Sequence, residues 1–289
     1  MINKRLETIS LLLKEYQTLS RQKGSLPALI DEVEISEQVY NSNAIENSTL
    51  TLPETEKILL QLEINRHVPL RELFEAKNLA LVYEYVKKIA SEKPISIEMI
   101  LLLHKMLLAN IRDAVAGRFR KDNEMVRVGT HIGIPPEFIE KRVHENIDEF
   151  MSDMTTPYIY KIARFHCEFE SIHPFIDGNG RIGRVLNNYY LLRAGFPPII
   201  IRNKEKQKYY AAIRSYDDSH SVAPMIRVFE LAMLESLHKR LAYLKNLRII
   251  PLREFAATQT KSSNTLLNAA RRQTLPAFRE KGVWKIGVV

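Results

Sequence analysis

Apolar residues recur at intervals of three and four along most of this chain, and a chain so patterned buries them by packing helices together. Residues 1–22 set the rhythm with Ile2, Leu6, Ile9, Leu12 and Leu13. The same spacing predicts a helix over 53–62, where Pro53 suits the first turn, and another over 70–90, stopped before Pro94. Ser96 is a natural N-cap for the segment IEMILLLHKMLLANIR. Further helices are expected around 158–171, from about 181 to 193 ahead of Gly195, Pro197 and Pro198, and over 205–217 and 222–246. One stretch breaks the pattern. Residues 117–136, GRFRKDNEMVRVGTHIGIPP, combine glycines and β-branched residues without a helical period and predict a short β-hairpin. The expected fold class is all-α with one hairpin.

The 289 residues suffice for one large domain and a small one. No run approaches the roughly 18–20 uninterrupted apolar residues of a membrane helix, and the charged N-terminus is not a signal peptide. A lone cysteine, Cys167, excludes an internal disulfide and fits a reducing cytoplasm; on the apolar face of its helix it reads as a buried thiol. The net charge of +8 is uneven. From Lys245 onward nine Lys and Arg face two Glu, which gives 9 − 2 = +7 for the tail and leaves +1 for the rest. A boundary is expected near 246–251, where Pro251 also interrupts the helix. The basic end suggests an anionic partner.

Residues 173–184, HPFIDGNGRIGR, carry the chemistry. Gly178 and Gly180 flank Asn179 and give the backbone conformations closed to other residues. The turn opens a helix, so free N–H groups and the positive end of the helix dipole converge where a phosphate can sit. Arg181 and Arg184 add cations three residues apart. Asp177 beside a phosphate site is a sensible Mg²⁺ ligand, since magnesium takes one or two carboxylates plus phosphate oxygens. His173 titrates near neutrality and can accept an alcohol proton. Taken alone, a Gly-Asn-Gly turn between arginines is often just a solvated helix N-terminus, with Phe175 and Ile176 as core contacts.

The complete string, His173, Phe175, Asp177, Gly178, Asn179, Gly180, Arg181 and Arg184, resembles the signature of the Fic family of protein adenylyltransferases. The resemblance implies a helical Fic core over roughly 70–235 that transfers AMP from ATP to a Ser, Thr or Tyr hydroxyl of a target protein, with self-modification. It implies His173 as general base, Phe175 as the loop's anchor in the core and Asp177 as holder of Mg²⁺. The N–H groups of 178–180 and the Asn179 side chain would form an anion hole, and Arg181 and Arg184 would hold the β- and γ-phosphates. Ile182 and Gly183 lie in the same nucleotide-binding stretch. The hairpin would be a flap that aligns the target by strand pairing, with Val128, Gly129, Thr130 and His131 bordering the nucleotide; without the family, His131 reads as a surface turn residue. Tyr209 and Tyr210 resemble an aromatic pair beside the adenine, or else pack on the core. Asp217 falls where some relatives carry Asn for an adenine or ribose contact. Upstream, Ser42-Asn43-Ala44-Ile45-Glu46-Asn47 resembles a (Ser/Thr)-x-x-x-Glu-(Gly/Asn) inhibitory motif whose Glu46 would pair with Arg184 and exclude the γ-phosphate.

The expected division is 1–69 with the inhibitory motif, 70–246 as catalytic core, and 247–289 as a small winged-helix-like module whose hairpin carries a buried Trp284. There Arg271, Arg272 and Lys281 could touch DNA phosphates; the alternative is a protein-docking or homodimer-forming module. Two other functions stay open from the sequence: a DNA-binding regulator whose body only senses nucleotide, and a phosphotransferase.

Overall fold

The computed structural model describes residues 4–289 apart from 122, 129 and 130. Helices account for most of it: α1 (Lys4–Gln22), α2 (Leu26–Ile45), α3 (Leu52–Leu59), α4 (Leu70–Ile89), α5 (Ile97–Leu108), α6 (Ile139–Ser152), α7 (Tyr158–Ile172), α8 (Asn179–Arg193), α9 (Lys206–Ser219) and α10 (Ala223–Leu244). Strands β1 (Arg127–Val128) and β2 (His131–Ile132) pair antiparallel, Arg127 opposite Ile132 and Val128 opposite His131. No helix among the described residues is long and apolar enough to cross a membrane.

Local chemistry sets the ends of these helices. Ser96 accepts the Met99 N–H and starts α5. Thr51 and Glu54 form a reciprocal capping box at α3. The chain separates into two compact units: 35–194 with 201–228, and 1–34 with 195–200 and 229–289. In the larger unit α7 packs on α8 and α6, and α4 on α5 and α8. Val82 and Val86 of α4, Leu103 and Leu107 of α5, Phe165 and Phe169 of α7, and Val185 and Leu186 of α8 are at most 2% exposed. Each such side chain contributes roughly 1.5–3 kcal/mol by leaving water, so the helices on either side of the turn at 173–178 are firmly held.

The smaller unit ends in β3 (Arg248–Pro251), α11 (Leu252–Ala257), α12 (Ser263–Arg271), β4 (Ala277–Glu280) and β5 (Val283–Val288), with sheet order β3-β5-β4, all antiparallel. Leu252, Ala270, Ala277 and Ile286 form its core. Trp284 packs at the edge of that core, half-buried rather than buried as expected, with Arg279 4.7 Å over its ring. Arg240, wholly buried, is bonded to Asp31 (2.5 Å) and Glu34 (2.6 Å).

The structure departs from the expected elements in three places. Among the described residues of the 117–136 stretch, only Arg127–Val128 and His131–Ile132 are strands. The described residues before them are turns and irregular backbone, where the Glu124 carboxylate takes both ends of the Arg118 guanidinium (2.7 and 2.8 Å) and the Lys121 N–H (2.8 Å). Helix α2 is unpredicted, since Glu34, Glu37, Gln38, Asn41, Ser42 and Asn43 are buried and hide its period among polar residues. Helix α6 is also unpredicted; its apolar stripe, Ile139, Val143, Ile147 and Phe150, is narrow and crowded by charges.

Candidate active site

The turn at 173–178 hangs between two helices that end and begin in left-handed backbone. His173 terminates α7 at φ 50° and ψ 61°, and Gly178 precedes α8 at φ 85°. Between them Phe175 is fully buried and stacked on His104 of α5, with ring centroids 3.7 Å apart. His104 Nδ1 accepts the Gly117 N–H (3.0 Å), which leaves Nε2–H to donate to the Asp177 carbonyl (3.0 Å). Burial lowers its pKa to about 4, so the ring is neutral and this tautomer is held. Asn179 closes the turn: its amide accepts from the Phe175 N–H and donates to the Phe175 carbonyl, both at 2.8 Å. That side chain is spent on the loop's own backbone instead of facing an anion. Gly178→Ala forces a side chain into left-handed backbone with a Cβ 3.1 Å from Leu107. We expect it to lower stability by about 1–2 kcal/mol, read as a fall in melting temperature with the nucleotide-free protein.

Gly180 is a helix residue without positive φ, so its glycine has a reason other than the conformational freedom expected of it. A Cβ there would lie 2.4 Å from Glu46 Oε1 and 2.9 Å from an Arg184 terminal nitrogen. Arg184 is 4% exposed and collects the upstream motif. It donates to Ser42 Oγ (2.9 Å), the Ser42 carbonyl (2.9 Å), Glu46 Oε1 (2.8 Å) and Tyr209 OH (3.4 Å). Burial works against its charge, yet Glu46, Tyr209 and Glu170 hold its pKa above the ordinary value. Arg181 turns the other way, to Asp177 (2.9 Å) and Glu75 of α4 (3.2 Å). Arg71 of α4 reaches the second Asp177 oxygen (3.0 Å).

His173 stands half-buried at the mouth of this arrangement. Burial lowers its pKa to about 4; Arg120 and His131 push the same way, while the bond to the Glu170 carbonyl and the charge of Glu46 oppose. A neutral imidazole at pH 7 is the form a general base needs. One turn back, burial pushes the Glu170 carboxyl up to about 7 against the pull of Arg184.

The remaining expected residues fall as follows. Val128 lies on β1, and Gly129 and Thr130 fall outside the described residues. His131 Nε2 bonds the Ser171 carbonyl (2.8 Å) and its Nδ1 lies 3.4 Å from Asp217, so these two are paired with each other. Tyr209 is 1% exposed, its hydroxyl 2.8 Å from His166 Nε2, and Tyr210 donates to the Ile45 carbonyl (2.9 Å). Lys206 holds Asn47 Oδ1 at 2.8 Å. Ile182 is fully buried in the core, and a Cβ on Gly183 would meet Glu170 at 2.9 Å. Arg71, Glu75, His104, Arg120, Glu170 and Lys206 were not anticipated. No local pattern marks them, since each acts on a group distant in sequence.

With this geometry in hand, residues 94–191 match the Fic/DOC family. The chain is 33% identical over 250 residues to "Protein adenylyltransferase Fic" of Nematostella vectensis, an alignment covering 83% of this chain and 56% of that protein. The chain thus spans about half the length of the curated relatives it matches. Among solved structures, a Fic domain-containing signaling protein from Bacteroides thetaiotaomicron superimposes with TM-score 0.74 at 25% identity, covering 84% of this chain and 97% of that one. Fic-1 from C. elegans superimposes with TM-score 0.73 at 26% identity, covering 84% and 72%.

Proposed function

The chain carries a Fic domain, and on that premise we propose that it transfers AMP from ATP to a Ser, Thr or Tyr hydroxyl of other proteins and of itself. What carries this reading is that the buried Arg184 guanidinium and Glu46 lie against Gly180 in the first turn of α8, where a helix start offers backbone N–H groups, and that Glu46 also acts on the His173 imidazole. The neutral His173 takes the hydroxyl proton, and the alcohol oxygen attacks the α-phosphorus in line as pyrophosphate leaves. The backbone N–H groups of α8 and Arg184 draw the leaving phosphates away from the attacking oxygen.

Magnesium fits this site with the nucleotide rather than before it. Among the described residues no group of three or more His, Cys, Asp or Glu could hold a metal. Asp177 is a single carboxylate beside the phosphate nest, as an ion completed by phosphate oxygens requires. Bound there, Mg²⁺ would neutralise charge on the leaving phosphates. Arg71 and Arg181 each bond an oxygen of the Asp177 carboxylate.

The reading includes a brake. Glu46 and Ser42 occupy the Arg184 donors that a γ-phosphate would need, so the segment 1–69 restrains the core at 70–246. It also includes a winged-helix-like module at 247–289 that contacts DNA, supported by the order α11, α12, then the β4–β5 hairpin, with Arg271, Arg272 and Lys281 exposed. A cytoplasmic location fits the buried free thiol of Cys167.

The decisive test supplies ATP labelled at either the α- or the γ-phosphate to the Glu46→Gly protein. Label must reach protein only from the α-position. Label from the γ-position alone would replace this reading by phosphotransfer, and label from neither by nucleotide sensing. Because His173 is already neutral far above its pKa of about 4, the rate should be level between about pH 6 and pH 8 and fall only toward pH 4. A midpoint near pH 6.5 would mean that the His173 imidazole titrates at its ordinary value once ATP is bound.

A further inference from the structure

Arg120 is 3% exposed, yet neither the phosphate chemistry nor the brake employs it. Its guanidinium is spread over backbone carbonyls. Nε donates to His173 (2.8 Å), one terminal nitrogen to Glu124 (2.9 Å), and the other to Ile134 (2.8 Å) and Ile172 (3.4 Å). Its own N–H donates to the Pro174 carbonyl (3.0 Å). These acceptors come from the end of α7, the catalytic turn, and both flanks of the β1–β2 hairpin. Gly133, just past β2, permits the approach: a Cβ there would lie 2.8 Å from the guanidinium and 3.2 Å from the His173 Cβ.

The His173 backbone makes this arrangement consequential. A non-glycine residue in left-handed backbone costs roughly 1–2 kcal/mol and persists only where its surroundings fix it. The carbonyls of Ile172 and His173 accept from the Arg120 guanidinium, which also holds Glu124 and Ile134 on the two flanks of the hairpin, so one side chain sets the direction of the turn at 173 and of the hairpin that faces it, beside the backbone bond to Pro174. Resting on the adenylyltransferase reading, we propose that Arg120 is a positioning residue: it locks His173 in left-handed backbone and ties the target-aligning hairpin to the same turn.

The guanidinium also brings a charge. The groups facing His173 are Arg120 and His131 from the hairpin side, Glu46 from the end of α2, and the Glu170 carbonyl on its own helix. Burial is the main reason its imidazole stays neutral, and Arg120 adds to it. Lysine in place of Arg120 keeps the charge and loses the planar fork, whereas methionine loses both.

The test uses the Glu46→Gly chain as parent and compares Arg120→Lys with Arg120→Met. Both should bind a non-hydrolysable ATP analogue within about threefold of the parent, while kcat falls by roughly ten- to a hundredfold. The His173 imidazole, followed by NMR, should titrate at the parent's pH in Arg120→Lys and about half a unit to one unit higher in Arg120→Met. A Lys variant with the parent's kcat overturns the proposal, as does one whose nucleotide affinity falls together with kcat, since the residue would then merely support the fold. An unmoved titration in a folded Met variant overturns the contact with His173. If Arg120→Met does not fold, the kcat and affinity of Arg120→Lys decide. A parent that fails to label protein defeats the adenylyltransferase reading, and the titrations still test the contact.

Discussion

In a Glu46→Gly background, His173→Ala is expected to lower AMP transfer by a hundred- to ten-thousandfold, the usual order for loss of a general base. Binding of ATP should change by no more than about threefold. The asymmetry follows from which atoms meet the nucleotide. The anion nest belongs to the first turn of α8, and its shape is kept by Phe175, Asn179 and His104, none of which bonds the His173 ring. Alanine at 173 must still accept left-handed backbone, where histidine is somewhat favoured, but the bonds from Arg120 continue to hold the main chain there. A filter assay with α-labelled ATP and calorimetry with a non-hydrolysable analogue separate the two quantities. Transfer that persists above a tenth of the parent rate would remove His173 as the base, and Glu170 would be the next acid–base group to examine.

The extent to which this site could be read from the chain depends on how local each interaction is. The turn at 173–184 was legible because glycines, arginines and a histidine at short fixed spacing have few other uses. Even so, the spacing did not reveal what each residue does. Gly180 is required by the closeness of Glu46 and Arg184 rather than by its φ, and the amide of Asn179 serves Phe175. The pairing of Ser42 and Glu46 with Arg184 spans up to 142 positions and was readable only through family resemblance. Arg120 was invisible, because its partners are carbonyls, which every residue possesses. Helix α2 escaped for a related reason: it buries carboxylates and amides that bond distant residues, so its hydrophobic period is weak.

Glu46→Gly is expected to raise self-labelling roughly five- to thirtyfold at ATP concentrations well below saturation. The carboxylate of Glu46 lies over the first turn of α8, so close that a methyl on Gly180 would overlap it, and it also holds an Arg184 donor at 2.8 Å. On the proposed reading an anion sits where a phosphate would dock, and ATP must displace it. The Glu46 side chain is 36% exposed against 5% for Arg184, so solvent screens the pair. Its displacement is worth about 1–2 kcal/mol rather than the larger figure of a fully buried pair. The same change leaves Arg184 buried with Ser42 and Tyr209 and no full counter-charge. The nucleotide-free variant should accordingly melt about 2–4 °C lower per kcal/mol lost, and ATP with Mg²⁺ should restore more than it adds to the parent, because ligand that binds only the folded state stabilises it. Glu46→Gln keeps the shape without the charge and should fall between the two. If Glu46→Gly labels no faster than the parent while its melting temperature drops, the pair supports the fold and does not restrain the reaction.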